Sequence, residues 1–461
     1  MGDWLNIDTN KMTAIFKRKY SPLRDILKTS LPAVIDLSSQ TVMWTIEAIL
    51  IGHLSAAAFA GVGMAIQVII LFFTIFLTFI VGSSIIINRH LGAGENWEAN
   101  HIFGQALMIG IVMAVLVAII WYFGATTLFT IIREKERIAQ ESGIQYLRII
   151  ALFSPLILTN FVAMGVMRAA GDTRVTMLIN LMINTINLVL APLLIFGLFG
   201  FPRLEVKGAA LAAGFAHTIG FFSTLFVLRT RKSVLFLSFR ELTTPNYKSF
   251  KRLFSAGVPT TIEQLFWAYG QMIITSYAAI LGIYYLAAHQ VFMRIQAILS
   301  MVYMGFSLGA MTLVGQNIGA KEHARAEETG HVAGYVVSIF VILIVASLLI
   351  FDKPLISLFT GEPAVLKIGA KVMIIYALVQ IPKAINGVVC GNLRGAGDLK
   401  WLMYWAIGSS IIMETGMTYI FAFPLHLSLM GLWLVQGIDE TIRLTLNYSR
   451  FKMGRWKFIK I

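Results

Sequence analysis

The chain has 461 residues, 57% of them apolar and 13% charged, against roughly half and a quarter in soluble domains, and its mean hydropathy is +0.78. These figures exclude a soluble globular enzyme, a disordered chain and a secreted disulfide scaffold, and the single cysteine, Cys390, excludes an intramolecular disulfide. The net charge of +14 would suit a nucleic-acid binder, but its distribution points to membrane orientation instead, and no nucleic-acid partner is expected.

Residues 1–28 form a polar, basic N-terminus with Lys11, Lys17, Arg18, Lys19, Arg24 and Lys28, and no cleavable signal sequence is visible. A membrane-spanning helix needs about 20 apolar residues. Such segments are predicted at about 29–51, 59–88, 102–132, 143–167, 175–199, 208–228, 253–280, 286–312, 329–351, 368–393, 401–423 and 430–448. Helices are the expected spanning form, because lipid offers no water to backbone groups.

Loop charges set the orientation. With the N-terminus placed in the cytoplasm, cytoplasmic segments hold 25 of the 37 Lys and Arg residues and the opposite side holds seven. Both termini are therefore expected in the cytoplasm of a multi-pass protein of the cell (inner) membrane. The chain divides into the N-terminal segment 1–28, an N-lobe 29–228, a basic cytoplasmic linker 229–252, a C-lobe 253–448 and a tail 449–461.

The lobes are repeats. Pro32 and Pro259 lie 227 residues apart, as do Gly92 and Gly319, and as do Pro155 and Pro382. RAAGDT at 168–173 and RGAGDL at 394–399 lie 226 apart. Six spans per lobe start both lobes on the same side, so the repeats are parallel and related by an axis along the membrane normal. The expected fold is all-α: twelve transmembrane helices in two parallel six-helix repeats.

An intramembrane carboxylate is costly and faces a cavity or a partner. Asp36 and Glu47 in the first span lie within about 20° of one helix face, about 16 Å apart along the axis. Gln40 and Trp44 fall between them, so the stripe is expected to wall a polar space. Asp36 maps by 227 onto Glu263, Gln40 onto Trp267 and Trp44 onto Gln271, whereas Glu47 maps onto Ile274. The lobes are thus alike in one acid and unlike in the deeper one. Asn180, Asn184 and Asn187 share a face of the fifth span. Their amides suit Na⁺ coordination or hydrogen bonding to a protonated acid; interhelical hydrogen bonding is the alternative. Glu414 is a further interior candidate, Arg294 and Lys383 are candidate partners for interior acids, and Asp439 with Arg443 forms an i, i+4 pair. No histidine spacing suggests a metal site, and the glycine motifs lack the context of a phosphate loop.

The motifs RAAGDT and RGAGD, LAAHQVFMRIQAI at 286–298, TLVGQNIGA at 312–320, MLINLMINTINLVLAPLLIFG at 177–197 and GRWK at 454–457 resemble the multidrug and toxic compound extrusion transporters, from about Pro32 to Lys457. The resemblance implies two six-helix lobes around a cavity that opens to alternate sides. It also implies export of bulky, often cationic organic compounds in exchange for Na⁺ or H⁺. The family's first-span Asp corresponds to Glu47, its Asn and later acid in span 5 correspond to Asn187 and Ala191, and an acid before the second LRG motif corresponds to Lys383. One carboxylate with amides suits a proton better than Na⁺, because desolvation penalises the charged form.

The expected function is a cation-coupled antiporter, not an enzyme. Glu47, Asn184, Asn187 and Asp36 are expected to handle the coupling ion. Gln40, Trp44, Glu263, Trp267 and Gln271 are expected to face substrate. The alternative is a lipid-linked oligosaccharide flippase, which would want interior Arg and Lys. No cofactor beyond a transported H⁺ or Na⁺ is expected, and no obligatory protein partner; the partners are small organic substrates and the bilayer.

Overall fold

The computed structural model describes residues 21–132, 136–237 and 239–459. Lys11, Lys17, Arg18 and Lys19 of the basic N-terminus, Arg133 and Lys135, and Lys460 lie outside the described residues. The N-terminal half comprises α1 (Pro22–Gly52), α2 (Ala56–Gly92), α3 (Asn96–Ile132), α4 (Arg137–Ala169), α5 (Thr173–Phe196) and α6 (Glu205–Arg229). A short helix, Phe239–Thr243, occupies the linker. The C-terminal half comprises α7 (Tyr247–Leu281), α8 (Ile283–Gly319), α9 (His323–Ile350), α10 (Pro363–Gly395), α11 and α12 (Ser428–Lys452). Helix α11 runs as an α-helix over Leu399–Gly408, a π-helix over Ser409–Met417 and an α-helix over Thr418–Ala422. No strand occurs among the described residues.

Nine of these helices are long and apolar enough to cross a membrane; the exceptions among the described residues are α7, α11 and α12. Helix α11 is divided into short runs by its π segment, which carries buried Glu414, while α7 and α12 are richer in polar residues, among them buried Glu263 in α7 and Asp439 and Glu440 in α12. Side chains such as Leu71, Phe123, Ile283, Tyr335 and Ile350 are exposed around the outside, as a lipid-facing surface requires.

The helices outrun their apolar segments. Helix α1 begins at Pro22 and absorbs residues up to Lys28, with Pro in its first turn where the missing N–H costs nothing. Helix α7 begins at Tyr247, where the Asn246 side chain accepts from Lys248 N at 3.0 Å and Ser249 N at 3.2 Å. The linker is docked: His101 Nδ1 of α3 lies 2.5 Å from Glu241 Oε2, and Gln105 donates to the Glu241 and Thr244 carbonyls.

Packing repeats with the sequence. In the first bundle α4 packs on α2, α3 and α6, while α1 packs on α5. In the second, α10 packs on α8, α9 and α12, while α7 packs on α11. The bundles meet through α1 on α8 and α2 on α7, contacts that exchange repeat-equivalent helices, and through α2 on α8. Gly92 and Gly319 permit the last approach. A Cβ on Gly92 would lie 1.9 Å from Gln316 O, and one on Gly319 would lie 2.0 Å from Arg89 O.

Candidate functional site

A cavity of about 160 Å³ lies within the N-terminal bundle. It is lined by Gln40, Trp44 and Glu47 from α1, Tyr146 from α4, Asn184 and Asn187 from α5, and His217 from α6, among others. Glu47 is the one carboxylate among these lining residues. It is 7% exposed, and its Oε1 accepts from Tyr146 OH at 3.0 Å. Asn184 Nδ2 donates to Ser39 Oγ at 3.1 Å, and Asn187 Oδ1 is buried without a hydrogen-bond partner among the described residues. Three of the four residues on the α1 stripe therefore share the cavity.

Asp36 is set apart from them. It is fully buried, with Arg168 Nε 2.8 Å from its Oδ2, and Asn180 Nδ2 donates to its Oδ1. Its negative charge is thus spent on an ion pair rather than offered to the cavity. The second bundle repeats the device: Arg394 Nη2 lies 2.7 Å from Glu263 Oε1. Asp36 and Glu263 are 227 residues apart, and Arg168 and Arg394 are 226 apart.

A second cavity of about 350 Å³ lies mainly in the C-terminal bundle, with Thr74, Leu77 and Val81 of α2 closing one wall. Glu263, Trp267, Lys383, Arg394, Glu440 and Arg443 are on its walls. Its acids and bases face one another: Lys383 Nζ is 3.9 Å from Glu440 Oε1, and Arg443 Nη1 is 3.9 Å from Asp439 Oδ2. Gln271, expected beside Trp267, turns elsewhere, with its Nε2 3.3 Å from Glu414 Oε1. Glu414 occupies a space that exists because residue 270 has no side chain; a Cβ on Gly270 would lie 1.4 Å from Glu414 Oε2. Arg294, a candidate partner for interior acids, is exposed and makes no ion pair among the described residues.

Sequence reasoning missed Tyr146 and His217 as cavity residues and both Arg–acid pairs. A signal for Tyr146 existed. The repeat equivalents of Glu47 and Tyr146 are Ile274 and Met373, both buried, so the hydrogen-bonded pair is replaced as a unit by an apolar one.

The two bundles are latched together on the face that carries the basic loops. Arg89 Nη2 donates to Ala396 O at 2.8 Å and Arg89 Nη1 to Ile459 O at 2.7 Å. Gln316 Nε2 donates to Ala170 O at 3.1 Å, and Thr312 Oγ1 donates to Ala169 O at 2.8 Å. Arg89 and Gln316 are repeat equivalents, as are Ala396 and Ala170. Each bundle thus holds the other's loop in the same way.

Asp172 of the first loop holds the linker that follows its bundle, and Asp398 of the second holds the end of α12. Asp172 Oδ2 accepts from Ser233 Oγ and, at 2.8 Å, from Val234 N. Asp398 Oδ2 lies 2.7 Å from Arg450 Nε. No group of three His, Cys, Asp or Glu side chains that could hold a metal ion is found among the described residues.

A profile of the MatE family matches twice, over residues 32–193 and 259–420. The two matches are offset by the same 227 residues as the prolines. A probable multidrug resistance protein NorM of Thermotoga maritima is 26% identical over 437 residues, covering 94% of this chain and 93% of the relative. One of Bacillus anthracis is 28% identical, covering 86% and 88%. An uncharacterized transporter YisQ of Bacillus subtilis is 24% identical, covering 97% of each. Among solved structures, a MATE protein in complex with MaL6 superposes with a TM-score of 0.86 at 21% identity, over 94% of this chain and 96% of that one. An outward-facing multidrug resistance MATE family transporter gives 0.86 at 22%, with the same coverage. With the two repeats, the paired bundles and the match over both halves together, the chain belongs to the MatE family and is a membrane transporter.

Proposed function

We propose that this transporter is a secondary active antiporter that exports bulky, cationic organic compounds in exchange for H⁺ by alternating access. The observation that carries the reading is Glu47, the one carboxylate among the residues lining the N-terminal cavity. A Na⁺ site wants several oxygen ligands, and charge from more than one carboxylate helps to hold the ion. Asp36 is already paired with Arg168, and Ala191 stands where a second acid would help. A proton needs less. On Glu47 it would supply a donor in a cavity where Asn187 Oδ1 is an acceptor without one among the described residues, and it would remove a charge that burial penalises. Tyr146, His217 and Arg168 are the other titratable or charged groups on these walls.

A cationic substrate and a proton would then compete for one negative charge. Each would be bound preferentially in a different conformation, and that differential affinity is what couples their movements. Trp44, about half exposed and among the lining residues, adds an aromatic face for a cation. The names of the relatives, multidrug resistance proteins among them, support a broad substrate range. The basic face is read as cytoplasmic from the charge of its loops, placing both termini inside the cell membrane's cytoplasmic boundary. The latches on that face support a reading of this conformation as closed to the cytoplasm. The flippase alternative loses ground, because the second cavity's Lys383, Arg394 and Arg443 each face a carboxylate.

The test is efflux of a fluorescent organic cation from proteoliposomes under separately imposed H⁺ and Na⁺ gradients. Drive by the H⁺ gradient is expected. Robust exchange driven by Na⁺ alone, at equal pH with a protonophore present, would overturn the coupling ion.

A further inference from the structure

Two grooves on the basic face are unexplained by transport. One, of about 920 Å³, lies between α1 and α5 and carries Arg24, Lys28 and Arg174. The other, of about 830 Å³, lies between α7 and α11 and carries Lys248, Lys251, Arg252, Lys400 and Arg450. They are the same groove in the two repeats. Arg24 corresponds to Lys251, Arg174 to Lys400 and Pro32 to Pro259, and each of these six residues lines its groove.

The charge in both is unbalanced. Among the described residues, the first groove has no acid on its walls. The second has one, Asp398, which is held by Arg450 at 2.7 Å. Arg24, Lys28, Arg174, Lys248, Lys251 and Lys400 are exposed and make no ion pair among the described residues. Beside the charges lie apolar walls: Leu23, Leu31, Ile35 and Leu178 are all exposed in the first groove, and Tyr404 is 64% exposed in the second, next to Trp401. A free phosphate would use the basic end alone. A phospholipid would use both, its phosphate on the Lys and Arg side chains and its acyl chains on the apolar wall.

We propose that these grooves are a repeat-related pair of binding sites for the phosphate headgroups of anionic phospholipids. Basic pockets between membrane helices recognise such headgroups, and aromatic residues favour the same interfacial depth. The proposal rests on the assigned orientation only for which leaflet supplies the lipid, and its test reads binding, so it succeeds or fails independently of transport.

The experiment is native mass spectrometry of the detergent-purified chain titrated with phosphatidylglycerol, with phosphatidylcholine, and with inorganic phosphate as competitor. Two tightly retained phosphatidylglycerol molecules are expected, and no tight phosphatidylcholine. Lys248→Gln/Lys251→Gln/Lys400→Gln should remove one and weaken that site at least about tenfold; Arg24→Gln/Lys28→Gln/Arg174→Gln should remove the other. Because these side chains are exposed, the variants should keep the wild-type melting temperature without lipid. The charge-conserving Lys248→Arg/Lys251→Arg/Lys400→Arg should retain both lipids. Equal retention of both lipids, or indifference to the glutamine variants, would overturn the proposal. Displacement by millimolar inorganic phosphate would also overturn it, by assigning the grooves to a free anion.

Discussion

Arg168 holds its guanidinium 2.8 Å from the carboxylate of Asp36, tying the loop motif after α4 to the first helix of its bundle. The same tie recurs between Arg394 and Glu263. The motif arginines are therefore partners of the acids that follow the opening prolines, and Glu47 is the carboxylate left facing the first bundle's cavity. Repeat symmetry supports the architecture, and Glu47 with Tyr146 against Ile274 with Met373 is one of the places where the bundles differ.

Breaking the buried pair from one side should cost more than removing it. Arg168→Gln leaves the fully buried Asp36 carboxyl without its cation, and about 3–5 kcal/mol of stability should be lost. Adding Asp36→Asn removes the stranded carboxyl and should recover a large part of the loss. Thermal unfolding of the detergent-solubilised single and double variants measures both. Additive losses would show that the two residues are not an energetic pair.

The glycine contacts between α2 and α8 make a second expectation. Gly319→Ala places a methyl group 2.0 Å from Arg89 O, where backbone leaves no room. The helices must separate at the basic face, weakening the Arg89 and Gln316 latches. A spin-label pair across that face should report a longer and broader distance, and efflux should fall severalfold. Gly334→Ala meets nothing within 4 Å and should leave both measurements unchanged.

Asp172 gives a pH dependence with a definite sign. It lies in the loop between α4 and α5, and burial pushes its carboxyl above the ordinary value against the lowering effect of the Ser233 and Val234 donors. A raised native value means that the folded loop binds the proton more tightly than the unfolded chain. This contribution to stability is complete below the unfolded carboxylate range and is lost as pH rises through the native value. Asp172→Asn should remove that slope from the thermal stability profile. An unchanged profile would assign the slope to other groups.

Much of the fold was legible because it rests on coarse quantities. Apolar run length located the helices, and the constant offset exposed the repeat. What escaped was short-range chemistry between distant segments. Nothing in the spacing of RAAGDT says that its arginine reaches Asp36, because that contact depends on how α1 packs against α5 and the end of α4. The helical-face argument placed Gln40, Trp44 and Glu47 on one wall correctly. It failed for Asp36, where a partner from another helix took the charge. Apolar run length marks spans rather than helix ends: α1 and α7 begin before their apolar segments, taking in polar residues. The π segment of α11, SSIIMETGM, escaped because apolar run length does not distinguish one helical register from another.

The central claim is that Glu47 carries the coupling proton, and Glu47→Gln tests it most directly. Glutamine keeps the shape and can still hydrogen-bond Tyr146, but it cannot change charge. The measurement is organic-cation efflux in proteoliposomes, with wild type and variant matched for reconstitution and melting temperature, under an imposed pH gradient. The account predicts that wild type transports against the gradient of substrate and that the variant loses H⁺-driven accumulation while still folding and inserting normally. Wild-type H⁺-driven rates in Glu47→Gln would contradict it.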